Sequence, residues 1–273
     1  MNRLEYPKLF VLFLPMAIFF AGFFVVPMVK LAIIGGTEDG GVSAYLMMIS
    51  KPRHLESMIA TLLLSAGVTV AALIISTISG LFLVRHRFIG RETLISMLTF
   101  PLAFPGVVIG FLVILLAGRQ GLISEVTKLA SGEKLVFAYS MAGLFMGYLY
   151  FSIPRVILTI MATAEKLDPA LEEAARSLGA PPWRVVRDVI MPALKPGLVA
   201  SGAICFATSM GAFGTAFTLA TNIDVLAMTI YTEFTLNANI AGAASLSIVL
   251  GIITWAALFI ARSLSGATVS VSA

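Results

Sequence analysis

One cysteine, Cys205, occurs in 273 residues, so no disulfide can close within the chain. Charge is scarce as well: 12% of residues are Asp, Glu, Lys or Arg, against about 25% in a soluble domain. None of the fourteen acidic residues falls in the middle of a long apolar run. Proton-driven carriers usually hold carboxylates there as relays, so this absence counts against one. No stretch reads GxxxxGK[ST], which excludes that form of ATP binding by this chain. His54 and His86 stand alone, without metal-ligand spacing, and no nucleophile–base pair suggests an enzyme.

Apolar sequence is abundant. Hydrophobic residues make up 59% of the chain, and the mean hydropathy is +1.01. Six runs reach the roughly 20 residues that cross a bilayer as helix: about 9–34, 57–84, 94–117, 135–163, 197–221 and 242–261. They lack the alternation of barrel strands, and a helix satisfies its own backbone in lipid. The fold class is therefore all-α: a polytopic membrane protein of six transmembrane helices. The first run is read as a retained span, being longer than a signal-peptide core and lacking a small-x-small cleavage site.

Loop charge sets the expected orientation. With an inside N-terminus, the inner segments hold eleven basic residues: Arg3, Lys8, Arg85, Arg87, Arg91, Lys166, Arg176, Arg184, Arg187, Lys195 and Arg262. The outer segments hold five: Lys51, Arg53, Arg119, Lys128 and Lys134. Both termini are expected in the cytoplasm. The net charge of +4 is thus a topology signal, and no nucleic-acid partner is expected. "RHRFIGRE" (85–92) reads as a tight basic hairpin, and the outer patches "AYLMMI" (44–49) and "LISEVTKLA" (122–130) as loop helices at the bundle mouth.

The third run contains "FPLAFPGVVIG", with Pro101, Pro105, Gly106 and Gly110. Proline removes a donor and clashes with the turn before it, so this helix is expected to kink or break. Irregular backbone at membrane depth survives only against protein or a watery cavity, which makes this run a candidate pathway lining. A kink that only serves packing remains the alternative. Gly106/Gly110 and Gly143/Gly147 form small-xxx-small pairs suited to close helix contact.

The polar stretch 164–196 carries five basic and five acidic residues. It reads as two short helices. Asp168 caps the first, Pro169 opens it, Glu172 pairs with Arg176, and Gly179 ends it in the left-handed conformation. Leu171, Ala174, Ala175 and Leu178 form an apolar stripe. The second helix is expected to start near Pro181–Pro182 and stop before Pro192, with Trp183, Val186 and Ile190 along one side.

This stretch closely resembles the EAA loop of binding-protein-dependent ABC importer permeases of the type I fold. The family pattern is EAA, three residues, Gly, nine residues, then I-x-L-P. Glu173, Ala174, Ala175 and Gly179 match it. Val189, Ile190, Met191 and Pro192 follow at the right spacing, with Val and Met in place of Ile and Leu. Pro181 stands where many relatives have a Ser or Thr cap. The resemblance implies that the whole chain, 1–273, is one transmembrane permease domain in the bacterial inner membrane. It implies a cytoplasmic coupling loop at 164–196, with Glu172, Glu173, Ala174, Ala175, Arg176, Gly179, Trp183 and Pro192 docking on a cytoplasmic ABC ATPase dimer. ATP and magnesium would bind that partner, and this chain would hold no cofactor or metal. A second permease subunit, identical or homologous, and an extracytoplasmic solute-binding protein would complete the assembly in the lipid bilayer.

"TSMGAFGTAFTLAT" (208–221) and "LAMTIYTEFTLNANIAGAASLS" (226–247) resemble the subgroup of polyamine, aminoethylphosphonate, ferric iron and sulfate or molybdate permeases. Sulfate and molybdate relatives often read GEFG where this chain has Gly211-Ala212-Phe213-Gly214. The candidate pathway comprises Pro101, Pro105, Gly106, Tyr148, Phe213, Gly214, Thr215 and Phe217. Aromatics are plentiful there, including Tyr150, and suit a cation. Asp224 and Glu233 read as loop residues, and Arg155 as snorkelling to the cytoplasmic end. The reading preferred on these residues is a polyamine or similar small amino-organic solute. An anion or ferric iron carried by the same importer class is the alternative, and an ion-coupled secondary carrier or a structural membrane protein would be alternatives of another class.

Overall fold

The structure, a computed structural model, describes residues 6–36, 41–219 and 223–264, with the side chains of 6–10, 42 and 264 left aside. Arg3 and the Lys8 side chain, both counted in the orientation argument, fall outside this set. Among the described residues every regular element is helical. Six segments are long and apolar enough to cross a membrane: Val11–Gly35, Pro52–Arg85, Gly106–Ser131, Met141–Ala164, Pro182–Met210 and Ile240–Ser263.

The helices, in chain order, are α1 (Tyr6–Phe20), α2 (Val26–Gly35), α3 (Val42–Ser50), α4 (Pro52–Arg85) and α5 (Arg91–Thr99). They continue with α6 (Gly106–Ala117), α7 (Leu122–Ser131), α8 (Met141–Ala164), α9 (Pro169–Ser177) and α10 (Pro182–Arg184). The last are α11 (Met191–Met210), α12 (Phe213–Leu219), α13 (Leu226–Tyr231) and α14 (Ile240–Leu264).

Prolines explain most departures from the expected spans. A widened π turn, Ala21–Val25, joins α1 to α2, and another, Val185–Ile190, joins α10 to α11. Each lies just before a proline at the second position of the next helix, Pro27 or Pro192. The ring of a proline collides with the carbonyl four residues back, and in both cases that carbonyl sits inside the opened turn. Pro192 therefore does not stop the second loop helix, as the sequence suggested. Helical chain continues from Pro182 to Met210, so the fifth span begins inside the polar stretch rather than at residue 197. It ends earlier as well: Gly211 and Ala212 separate α11 from α12, and residues 220–222 lie outside the described set.

The third run breaks as its prolines require. After α5 comes a single 3₁₀ turn, Phe100–Ala103, then extended Phe104 and Pro105, then α6. The fourth span, α8, starts at Met141, not 135, because Phe137 and Ala138 both donate their amides to the Ala117 carbonyl at 3.1 Å.

Chain contacts divide the protein into two compact units. The smaller comprises residues up to 55 and 229–251. In it the Ser245 hydroxyl donates to the Gly35 carbonyl at 2.7 Å, and Tyr45 donates to Ala32. His54 Nδ1 lies 2.8 Å from the Met48 carbonyl and Nε2 lies 3.3 Å from Glu233 Oε1. Asn237 and Asn239 donate to the same carboxylate at 3.1 and 3.0 Å.

The larger unit comprises residues 56–228 and those from 252 on. Its core gathers Val68 and Ala72 of α4, Leu144, Tyr148, Val156 and Ile160 of α8, Cys205 of α11, and Ala216 and Leu219 of α12. Small residues set the spacing. A Cβ on Gly197 would fall 2.4 Å from Thr163 Oγ1, and one on Gly147 2.8 Å from Thr215 Cγ2. A Cβ on Gly110 would sit 2.5 Å from Thr218 Cβ. Thr61 Oγ1 accepts from the Leu226 amide at 2.8 Å, tying the segment after α12 to α4.

The tight seam at Gly110 yields a contrast with Gly22, where an added Cβ meets nothing within 4 Å. Gly110→Ala should lower the thermal midpoint of the detergent-solubilised protein, at an overpacking cost of about 1–3 kcal/mol. Gly22→Ala should not lower it. Equal midpoints for the two variants would contradict the close packing of α6 on α12.

Candidate functional site: a capped polar knob and a cavity at paired helix breaks

The polar stretch is held by its own caps before it meets the rest of the chain. Asp168 accepts the Ala170 amide at 2.9 Å, and Pro169 opens α9. At the other end Gly179 takes φ +79°. Its amide donates to Arg176 at 2.9 Å, and the Ala180 amide donates to Ala175 at 3.1 Å. This bond pair with a left-handed glycine is a Schellman closure, satisfying carbonyls that the helix end would orphan. A Cβ on Gly179 would meet nothing within 4 Å, so a side chain is unfavourable there for its backbone conformation alone.

Packing then fixes the knob to the helix ends. Val185, Ile190 and Leu194 are buried with Ala164, and Leu81, Val84, Leu167, Ala175 and Ala180 pack around them. Arg85, the last residue of α4, forms an ion pair with Glu172, which also lies 3.9 Å from Arg176. The strongest contact of Glu172 is thus to another helix. Arg91 Nε donates to the Leu83 carbonyl at 2.7 Å, closing the basic hairpin.

The outward face is apolar as well as charged. Leu171, Leu178 and Trp183 are 56%, 89% and 57% exposed. Ala174 and Glu173 share that exposed surface, and the guanidinium carbons of Arg184 and Arg187 lie 5.6 and 5.9 Å from the Trp183 ring centre. The expected stripe Trp183–Val186–Ile190 divides in two. The π turn shifts the helical phase, so Val185 and Ile190 turn inward while Trp183 and Val186 stay out. Pro192 is exposed near the start of α11.

The break before α6 and the break before α12 lie against each other. Thr215 Oγ1 donates to the Gly106 carbonyl at 2.9 Å, and Thr218 Oγ1 lies 3.3 Å from the Val107 carbonyl. A Cβ on Gly214 would meet the Val107 amide nitrogen at 3.0 Å, so Gly106 and Gly214 let the two backbones touch. Tyr148, 1% exposed, donates its hydroxyl to the Ala212 carbonyl at the second break.

Beside this seam is a cavity of about 270 Å³. Pro101, Leu102, Phe104, Gly106, Ile109, Phe151, Arg155, Thr208, Ala212, Gly214 and Thr215 line it. The structure thus brings Pro101, Gly106, Gly214 and Thr215 together. Pro105 is the extended residue capping α6. Tyr148 is packed in the core, and Phe213 and Phe217, whose ring centres are 5.3 Å apart, are not among the lining residues. Arg155, expected to snorkel towards the cytoplasmic end, is among the residues that line the cavity. Sequence reasoning placed it otherwise because Pro154, beside it, gives no indication of which helix face it shares. The hydroxyls of Ser152 and Ser209, neighbours of the lining residues Phe151 and Thr208, are buried without a partner among the described residues.

Broken membrane-length helices around a cavity, with a capped polar knob, are features that suit a transporter permease subunit. The chain belongs to the family of binding-protein-dependent transport system inner membrane components, whose model matches residues 72–268. The molybdenum transport system permease protein ModB of Escherichia coli (strain K12) is 36% identical over 195 residues, covering 68% of this chain and 84% of its own. The sulfate transport system permease protein CysT of the same strain is 32% identical over 179 residues, 66% of this chain and 64% of its own. A putative 2-aminoethylphosphonate transport system permease protein, PhnU of Salmonella typhi, is 27% identical over 225 residues, 81% and 78% of the two chains. In fold the chain is similar to one in the crystal structure of a bacterial alginate ABC transporter in complex with an alginate pentasaccharide-bound periplasmic protein. The TM-score is 0.82 at 17% identity, over 95% of this chain and 94% of that one. The preference for a polyamine finds no support among these relatives, which are named for molybdenum, sulfate and a phosphonate.

Tyr148→Phe should remove the hydrogen bond that ties α8 to the Ala212 carbonyl. The expected loss is about 0.5–1.5 kcal/mol of stability, read as a lower thermal midpoint in detergent. An unchanged midpoint would show that the phenol does not hold the second break.

Proposed function

We propose that this chain is the membrane subunit of an ATP-driven importer and moves a small anion of the oxyanion or phosphonate type into the cytoplasm. The observation that carries the ATP-driven part is the knob at 168–192. It is capped at both ends and fastened to α4, α8 and α11, yet it leaves Leu171, Leu178 and Trp183 in the open. A stretch so ordered, with that much apolar side chain exposed beside charges, fits a soluble partner. That partner is a cytoplasmic ABC ATPase dimer, which binds the ATP and magnesium. Glu173 offers it a charge-assisted contact, and Ala174 permits close approach. The knob and both termini then lie on the cytoplasmic side, and a second permease subunit and an extracytoplasmic binding protein complete the complex.

The solute class is supported by the relatives' names and by the chemistry of the cavity, which has no carboxylate among its lining residues to hold a polyamine. Alternating access follows if ATPase closure displaces the knob and the continuous helix from Pro182 to Met210 carries the motion to the second break.

In proteoliposomes holding the permease, the ATPase and the binding protein, ATP should drive uptake of molybdate or sulfate. Glu173→Lys and Gly179→Asp should each cut that uptake by about tenfold or more while the permease still folds. The glycine variant loses roughly 1–2 kcal/mol at a left-handed position. Uptake without ATPase or ATP would overturn the reading.

A further inference from the structure

Among the described lysines and arginines, Arg155 is the one that lines the cavity beside the paired breaks. It lies on α8, nine residues before the helix ends at Ala164, which at 1.5 Å per residue is roughly 13 Å along the axis. A cation at that depth is costly unless it faces water or a partner of opposite charge. Among the described residues no carboxylate lies within ion-pair distance of its guanidinium, and no hydrogen bond uses its side chain as donor. The other polar lining groups are committed: Thr208 donates to Ile204 at 2.8 Å and Thr215 to Gly106 at 2.9 Å. The cavity therefore has a positive charge with open donors and no fixed anion.

We infer that Arg155 is the charge-selecting residue of this chain, its guanidinium taking a small tetrahedral oxyanion as it passes through the cavity. The inference rests on the reading of the chain as an anion importer and assigns the selection to one side chain. A guanidinium presents parallel N–H donors that match two oxygens of such an anion, on top of the charge that does the selecting. The space of about 270 Å³ admits a small anion with some of its water, at about 30 Å³ per water molecule. Phe104, Phe151 and Ile109 supply apolar walls beside Arg155, which is itself exposed and so open to a hydrated anion. Gly106 brings the start of α6 to the same wall, where the helix dipole adds to the positive potential. Release follows from having a single charge: one guanidinium holds the anion only loosely.

The test uses the complete complex in proteoliposomes, with labelled molybdate, sulfate and putrescine as probes, and measures uptake and ATP hydrolysis together. Arg155→Gln should lower ATP-driven anion uptake at least about tenfold, the equivalent of one lost charge-assisted hydrogen bond. Its ATPase subunit should still co-purify, and its hydrolysis in the presence of binding protein should persist. Arg155→Lys should recover a substantial part of the uptake, because it restores the charge. Anion uptake by Arg155→Gln at the wild-type rate would overturn the inference. So would loss of uptake by the lysine variant as deep as that of the glutamine variant, because the role would then not be one of charge. Wild-type uptake of putrescine and of neither anion would instead overturn the proposed solute class, an outcome read without any variant.

Discussion

Inside a bilayer a broken helix survives only where protein or a water-filled cavity covers its irregular backbone, and this structure packs two such breaks against each other. Prolines and glycines break two helices, before α6 and before α12. The two breaks are tied together rather than left apart. Thr215 and Thr218 of α12 donate to the carbonyls of Gly106 and Val107 in the first turn of α6, and Tyr148 donates to Ala212 from a third helix. Glycines at 106, 110, 147 and 214 are what allow the backbones to come close enough. The cavity lies beside this seam as a consequence: broken helices cannot fill space as evenly as whole ones.

Proline acts in the opposite sense at the polar knob. Pro192 opens the turn before it into a π turn and leaves the helix unbroken. The knob is thus continuous with a transmembrane helix, and its inner face is anchored by Ile190, Leu194 and the Arg85–Glu172 pair. A surface ion pair of this kind contributes little energy on its own. Its value is positional, since it joins α9 to the end of α4. In the proposed importer, a soluble motor pushing on the knob moves helices rather than a loose loop.

Much of this was legible in the residues. The caps at Asp168 and Gly179 and the break around Pro101–Pro105 follow from local chemistry. Residues within one turn of each other decide them. The role of Pro192 was not legible, because a proline can either end a helix or widen it, and the choice depends on whether the widened turn finds packing for Ile190. Tyr148 read as a pathway aromatic, yet its hydroxyl serves a carbonyl 64 positions away, a contact no local pattern reports.

By itself the sequence determined an all-helical membrane chain of six apolar segments with one capped polar island, since hydropathy, length and capping act over a few residues. Only the tertiary structure decided which of those segments share a wall, and so which side chains line the cavity. Arg155 shows the difference: its helix and its neighbour Pro154 are plain in the sequence. Its place on the cavity depends on the angle at which α8 packs against two broken helices far away in the chain.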